Sequence, residues 1–429
     1  MKHYGRTFVT AIMGDSATVR ILFLCQYFPP EPGAPAARTH EHAREWARMG
    51  HAVTVVCGVP HYPEGVVPPE YRGRLVHEET VDGVLVLRCW LYAAPNAGVL
   101  RRSASFASFM LSALYAALFR AGPCDVVAAT SPQLLCGLAG WLAAALRRRP
   151  FVFEVRDLWP QQIIDLGVIT HPLLVGPLRA LEMFLYRRAC AVVTVAPAAA
   201  ADLTARGISP GKVHVIPNGI DLDFFQPLPR EGRIRREQGW GDDFVALYIG
   251  AHGLSQGLET VLDAAKLLAD RPGIRFVFAG AGARREALRA GAEALGLENV
   301  TFLPAQPKAA MPEFYAAADA CLVPLLKRGV FRTNIPSKMF EIMACARPMI
   351  LGVEGQALAL LTAAGAGVAV PPEDPKALAD AVLALAESPE RRLALGKAGR
   401  RHAEAHCSRL ERAREYAALF GRFSPPRPQ

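Results

Sequence analysis

Paired cysteines are missing from this sequence. Nine cysteines stand singly, with no C-x-x-C and no His/Cys pair at ligand spacing. That excludes a disulfide framework and a structural zinc site, and predicts reduced, mostly buried thiols in a cytosolic protein. The first eighteen residues hold basic side chains but no apolar core of a secretory signal. They read as a loose extension (1–18), with Met13 as an alternative start. Charge is sparse, at 20% of residues against 52% apolar, which excludes extensive disorder. Acidic residues are the scarcer sign: 48 Lys and Arg face 39 Asp and Glu, for a net charge of +9. Such a surface favours phosphates or acidic headgroups without choosing between them, and no nucleic-acid partner is expected. Nothing marks a metal-binding Asp-x-Asp pair at a strand end, so neither a metal nor another cofactor is expected.

What recurs is a short β-branched run, a Gly/Pro loop and a helical segment. VRILFLCQYF (19–28), HAVTVVCG (51–58), CDVVAAT (124–130), FVFEV (151–155), CAVVTVA (190–196) and KVHVIPNG (212–219) predict buried strands of a parallel sheet. A stretch rich in proline and charge interrupts at 220–240. The alternation restarts with FVALYIGA (244–251), IRFVFAG (274–280), VTFLPA (300–305), ACLVPL (320–325), PMILGV (348–353) and GVAVP (367–371). The fold expected is α/β, with two doubly wound Rossmann-like domains at 19–219 and 241–406, a linker at 220–240, and a last helix at 407–421 that crosses back.

The run FRTNIPSKMFEIMACARPMI (331–350) poses a question. Asn334 or Ile335 is the expected cap of a helix with Pro336 in its first turn. Lys338 then sits where a cation opposes the helix dipole by roughly 0.3–1 kcal/mol, and Glu341, three residues on, shares its face. Either the two form a surface ion pair, or an anion bound beside Lys338 reverses the penalty while Glu341 accepts hydrogen bonds from ribose hydroxyls. A second signal is IGAHGLSQGLETVLDAA (249–265), where Gly250, Gly253 and Gly257 stand between a strand and a helix. Glycines there let backbone amides approach phosphate, and His252 is a candidate proton donor to a departing phosphate oxygen.

GAHGLSQGLETVLDAA, FVFAGAGARREAL, EFYAAADACLVPL and PSKMFEIMACARPMI together resemble the C-terminal domain of GT-B glycosyltransferases of the retaining family 4. HVIPNGIDLDFFQP resembles that family's interdomain segment. The N-terminal runs ILFLCQYFPPEPGAPAARTHEHAREWARMGHAVTVVCGVPHYPEG and FEVRDLWPQQIIDLGVI are similar to the subgroup of surface polysaccharide assembly, which includes N-acetyl-L-fucosamine transferases and colanic-acid-type transferases. The resemblance implies a GT-B fold with its domains facing a central cleft. It implies transfer of a sugar from a nucleoside diphosphate sugar, UDP-linked by expectation, to a lipid-linked saccharide of capsule, O-antigen or exopolysaccharide. Glu341 matches the second glutamate of the family's E-x7-E motif, and Thr333 replaces the first. Gly250, Gly253, Gln256, Arg332 and Lys338 are implied around the donor. Gly33 matches the family's loop beside the reaction centre, and Arg156 and Asp157 match a pair that faces donor sugar or acceptor. Two further readings are a nucleotide-sugar 2-epimerase of similar fold and a non-catalytic nucleotide-sugar-binding protein.

Charge is absent from residues 103–119, between Arg101–Arg102 and Arg120. This length is at the short limit of a membrane span. Ser105, Ser108 and Ser112 on one face fit a helix lying on a membrane surface, with Phe106, Phe109 and Met110 facing the lipid; the other reading is a core helix packed on the sheet. Arg147, Arg148 and Arg149 end a second apolar helix, where they complement its dipole or touch headgroups. The expected location is peripheral, on the cytoplasmic face of the cell membrane.

Overall fold

Two parallel sheets account for the alternation read in the sequence. The computed structural model describes residues 18–424 except 32, 63, 95–98, 166, 168 and 170; the expected N-terminal extension, Thr18 apart, and the alternative start Met13 lie outside the described residues. The first sheet comprises β1 (Arg20–Leu24), β2 (Ala52–Gly58), β3 (Val76–Val81), β4 (Val84–Cys89), β5 (Val126–Thr130), β6 (Phe151–Val155), β7 (Ala191–Thr194) and β8 (Val213–Val215), in spatial order β3-β4-β2-β1-β5-β6-β7-β8. The second comprises β9 (Phe244–Ile249), β10 (Ile274–Ala279), β11 (Val300–Leu303), β12 (Ala320–Pro324), β13 (Met349–Gly352) and β14 (Gly367–Ala369), ordered β11-β10-β9-β12-β13-β14.

Both faces of each sheet are covered, which is why the strands read as continuous apolar runs. Ile21 and Phe23 enter one core with Val53 and Val55, while Leu22 and Leu24 enter the core on the other face with Val56. The first of these cores is closed by the C-terminal helix Arg409–Phe423, which brings in Ala413, Tyr416, Leu419 and Phe420. Trp46 Nε1 donates to Ala413 O at 3.0 Å. The Tyr416 hydroxyl donates to Glu154 Oε1 at 2.5 Å, and Arg38 meets the same oxygen at 2.6 Å. Burial works against the Glu154 carboxylate, but the charges of Arg38 and Arg156 with the hydrogen bonds of Thr130 and Tyr416 together outweigh it and hold the group at about 2.

One departure is β3, paired antiparallel to β4 at the sheet edge. Asp82 and Gly83 both have positive φ, 48° and 80°, the requirement of a two-residue hairpin turn. The alternation of β3 is half polar and was not legible as a buried strand.

The strand order reverses direction between β1 and β5 in one sheet, and between β9 and β12 in the other. Ligands of open α/β sheets lie beyond the carboxyl ends of strands at such points. Here the two carboxyl rims face one another. The short helix Gln161–Asp165 after β6 packs on the turn Gly329–Thr333 after β12. Lys308, after β11, reaches Glu41 on the helix Ala34–Arg48, at 2.6 Å.

Candidate functional site

The rim of the second sheet is built by interlocked loops. Gly250 follows β9 and Gly280 and Gly282 follow β10, with φ of 139°, 151° and 150°. A Cβ on Gly280 would collide with the Gly250 carbonyl, and one on Gly282 would lie 2.5 Å from the His252 carbonyl. Glycine is therefore required by both backbone conformation and close approach. His252 N donates to Ala281 O at 2.8 Å, and Arg284 N donates to His252 O at 2.9 Å. The His252 ring is wholly buried, 5.7 Å from the Tyr248 ring and edge-on to Phe278. Burial first, then Arg285 and Lys338, push it down to about 4, so it is neutral at pH 7. Both ring nitrogens lack a partner among the described residues. The His252 side chain is thus sealed under this loop, packed against Tyr248 and Phe278.

Lys338 opens the helix Lys338–Ala344, with Ser337 rather than Asn334 or Ile335 at the cap and Pro336 ahead of it. Its Nζ crosses to the end of β9, 3.8 Å above the Tyr248 ring centroid and 3.0 Å from where a Gly250 Cβ would stand. The Tyr248 hydroxyl donates to Ala251 O at 2.6 Å, which fixes the ring. Among the described residues no carboxylate lies within ion-pair distance of Lys338, so the surface-pair reading with Glu341 fails. Burial pushes the lysine down to about 8, against the pull of Glu341 and Cys321. Glu341 accepts the Tyr315 hydroxyl at 2.5 Å. Burial raises its carboxyl above the ordinary value, with Tyr315 opposing. The Glu341 carboxylate also feels Glu41 and Lys308 across the cleft. Lysine, tyrosine face, glycine backbone and carboxylate thus converge where β9 and β12 part.

Other expected donor residues are placed less centrally. Gln256 Oε1 accepts Ser255 Oγ at 3.1 Å and would meet a Cβ on Gly253 at 2.8 Å. Arg332 is largely exposed and faces Glu354 at 3.9 Å. Thr333 turns its hydroxyl back on Val330 O at 2.9 Å. Asp221-Leu222-Asp223 is an Asp-x-Asp by spacing, but Asp221 is occupied by Arg44 at 2.7 Å and by the N–H groups of Asp223 and Phe224. Among the described residues no three His, Cys, Asp or Glu side chains converge as metal ligands.

On the opposite rim, Gly33 caps the helix Ala34–Arg48 with φ 108°. Arg156 N donates to Ser131 Oγ at 3.0 Å, joining the loops after β6 and β5. Burial lowers the Arg156 guanidinium against the pull of Glu154, and raises the Asp157 carboxyl against the pull of Arg156. Sequence reasoning missed Tyr248 and Tyr315, since an aromatic in an apolar run reads as core.

The helix Val99–Phe119 turns Ser105, Ser108 and Ser112 inward. Ser108 Oγ accepts Tyr92 N at 2.8 Å, and Ser112 Oγ donates to Trp90 O at 2.5 Å. Phe109 is wholly buried, and Met110 packs against the same core; Phe106 is partly buried under Arg102. Of the expected lipid-facing trio, Phe109 therefore belongs to the core, while Phe106 and Met110 are only partly covered. Leu100, Leu111, Tyr115 and Phe119 form the exposed apolar stripe, at 86%, 64%, 39% and 71% exposure. Arg147 donates to Ala117 O and Gly122 O, closing this helix's C-terminus.

Comparison with known proteins places this geometry. Residues 33–219 match the Glycosyl transferase 4-like domain, and residues 231–402 match Glycosyl transferases group 1. A relative, WcaI of Escherichia coli (strain K12), assigned as a colanic acid biosynthesis glycosyl transferase, is 28% identical over 371 residues, covering 84% of this chain and 90% of the relative. The sucrose-phosphate synthase of Thermosynechococcus elongatus superposes with a TM-score of 0.75 at 20% identity, over 94% of this chain and 98% of that one. HepE of Anabaena, solved in complex with UDP and glucose, gives 0.71 at 18% identity, over 94% and 99%. The chain belongs to the group 1, family 4 glycosyltransferases of GT-B fold, enzymes of polysaccharide and glycoconjugate biosynthesis.

Proposed function

We propose that this enzyme moves a sugar from a UDP-sugar to a lipid-linked saccharide, with retention at the anomeric carbon, at the inner face of the cell membrane. The observation that carries the donor half is the placement of Lys338 over Tyr248 and against Gly250, beside the Glu341–Tyr315 pair. In this reading Glu341 accepts the ribose hydroxyls, and Lys338 with the Gly250 backbone meets the diphosphate. The bond from C1 to the phosphate oxygen breaks, the acceptor oxygen joins C1 on the same face, and the acceptor proton passes to the departing phosphate. Lys338 offsets the charge that develops there, the kind of stabilisation that contributes most to such transfers. Arg156 and Asp157 approach from the opposite rim. The uridine base is supported by HepE, a fold neighbour solved with UDP. The membrane half is supported by the apolar stripe at Leu111, Tyr115 and Phe119, with Arg101 and Arg102 exposed at the start of the same helix.

A calorimetric panel of UDP-, GDP- and dTDP-sugars, followed by mass spectrometry of lipid-linked products, tests the reading. UDP-sugars are expected to bind, and a new glycosidic bond to appear with release of UDP. Binding confined to GDP-sugars overturns the uridine assignment. An epimerised sugar with no glycosidic bond would return the protein to the 2-epimerase reading.

A further inference from the structure

The rim of the N-terminal sheet holds a carboxylate–imidazole pair that the donor reading does not use. Glu31 stands in the loop after β1 and His61 in the loop after β2, and these strands are parallel neighbours. Glu31 Oε1 accepts the backbone N–H groups of His61 and Tyr62, each at 3.0 Å, and lies 3.1 Å from His61 Nδ1. Nδ1 also meets the Val59 carbonyl at 2.9 Å. A carbonyl only accepts, so Nδ1 carries a proton, and in the neutral ring Nε2 is left as the acceptor. Nε2 has no partner among the described residues. It is not among the fully buried atoms without a partner, as both nitrogens of His252 are, and the His61 side chain is 4% exposed.

The surroundings suit a hydroxyl-rich ring. Tyr27 stacks on His61 at 6.1 Å between centroids. One strand along the rim, Gln133 Nε2 donates to Gln26 Oε1, leaving Gln26 Nε2, Gln133 Oε1 and Glu31 Oε2 without partners among the described residues. These side chains belong to residues only 4%, 8% and 6% exposed. An unmet buried polar group costs about 1–3 kcal/mol, and native proteins rarely leave several together unless something else completes them. The carboxyl ends of β2, β1, β5 and β6 lie side by side at strand spacing, so this cluster continues directly into Arg156 and Asp157. Trp90, at the end of β4 on the same rim, and Tyr92 just beyond it are about half exposed.

The geometry points to His61 as the residue that contacts the acceptor saccharide, its Nε2 receiving the hydrogen bond of an acceptor hydroxyl, with Glu31 as the positioning residue behind it. This rests on the proposed transfer to a saccharide. The charged group facing the ring is Glu31, and the titratable ones are Tyr27 and Tyr62. Burial lowers the imidazole, and the hydrogen bond and charge of Glu31 more than offset that, so His61 titrates above its ordinary value. The receptive neutral form therefore grows as pH rises through that raised value.

Two measurements test it. Diethyl pyrocarbonate labelling, mapped by peptide mass spectrometry between pH 5.5 and 8.5, needs no substrate. His61 is expected to react at Nε2 while His252 does not, and Glu31→Gln is expected to move the half-reaction point to lower pH. A His61 that resists the reagent as His252 does overturns the proposal. In the second, His61→Asn is assayed with UDP-glucose and a polyprenyl-diphosphate monosaccharide. The acceptor KM is expected to rise about tenfold, while calorimetric UDP affinity stays within about twofold. An unchanged acceptor KM and pH profile also overturns it. Loss of UDP binding in the wild type condemns the donor reading instead, and the labelling still decides whether His61 is open.

Discussion

UDP affinity should fall as pH rises above 8, because of Lys338. In the unliganded protein its ammonium lies over the Tyr248 ring without a carboxylate partner among the described residues, and burial lowers it to about 8. About nine-tenths of the molecules hold the charge at pH 7 and about one-tenth at pH 9. A diphosphate at Nζ restores the charged form, so binding above pH 8 takes up a proton. Dissociation constants should then rise about tenfold from pH 7 to pH 9, or about 1.4 kcal/mol. Calorimetry with UDP in two buffers of different ionisation enthalpy measures both the affinity and the proton uptake. Lys338→Met should weaken binding at pH 7 and flatten the pH dependence. The stability sign is opposite. A lysine whose folded value lies below its unfolded value of 10.5 costs stability below about pH 8, and the cost fades between 8 and 10.5. Lys338→Met should therefore raise the melting temperature of the free protein at pH 7. A pH-independent UDP affinity with no proton uptake, or a Met variant that melts lower, would falsify the assignment of Lys338 to the phosphate.

Glu341→Gln should weaken UDP by about 1.5–3 kcal/mol, the worth of a charged hydrogen bond, and Tyr315→Phe by less; equal affinities for both variants and wild type by calorimetry refute the ribose assignment. Glu41 pairs with Lys308 at 2.6 Å and with Arg409 at 2.7 Å. Glu41→Ala strands the buried Arg409 and should cost about 3–5 kcal/mol in denaturant melts. Lys308→Ala removes an exposed partner, 42% accessible, and should cost at most about 1 kcal/mol while opening the domains in solution scattering. Leu111→Ser with Phe119→Ser should reduce binding to anionic vesicles and leave the melting temperature unchanged. Phe109→Ser should unfold the domain, and the reverse pattern would return the helix face to the original assignment.

The strands were legible because a parallel sheet covered on both faces demands unbroken β-branched runs, and FVFEV at 151–155 is strand throughout. Lys338 and Glu341 were legible because charge on an apolar helix calls for a reason. What completes them was not. Tyr315 lies 26 residues before Glu341, in an EFYAAAD run that reads as core. The inner serines of the Val99–Phe119 helix looked like a wet face because serine is polar. Their hydroxyls meet the backbone beyond β4 instead, and that need is invisible until the sheet is assembled.

The same limit applies most strongly to the cleft. Glu41 and Lys308 are 267 residues apart, and neither belongs to a recognisable motif, yet their pair bridges the two rims. Glu341 feels both charges. The two act on Glu341 in opposite directions, Glu41 raising its carboxyl and Lys308 lowering it, with the Glu41 effect the larger. Removing Lys308 leaves Glu41 paired with Arg409 and takes away one of the charges that lower the Glu341 carboxyl, so Lys308→Ala is expected to weaken UDP binding slightly, as calorimetry would show. The two rims meet at Lys308–Glu41 as well as where Gln161–Asp165 packs on Gly329–Thr333, and it is the first of these contacts whose charges reach Glu341.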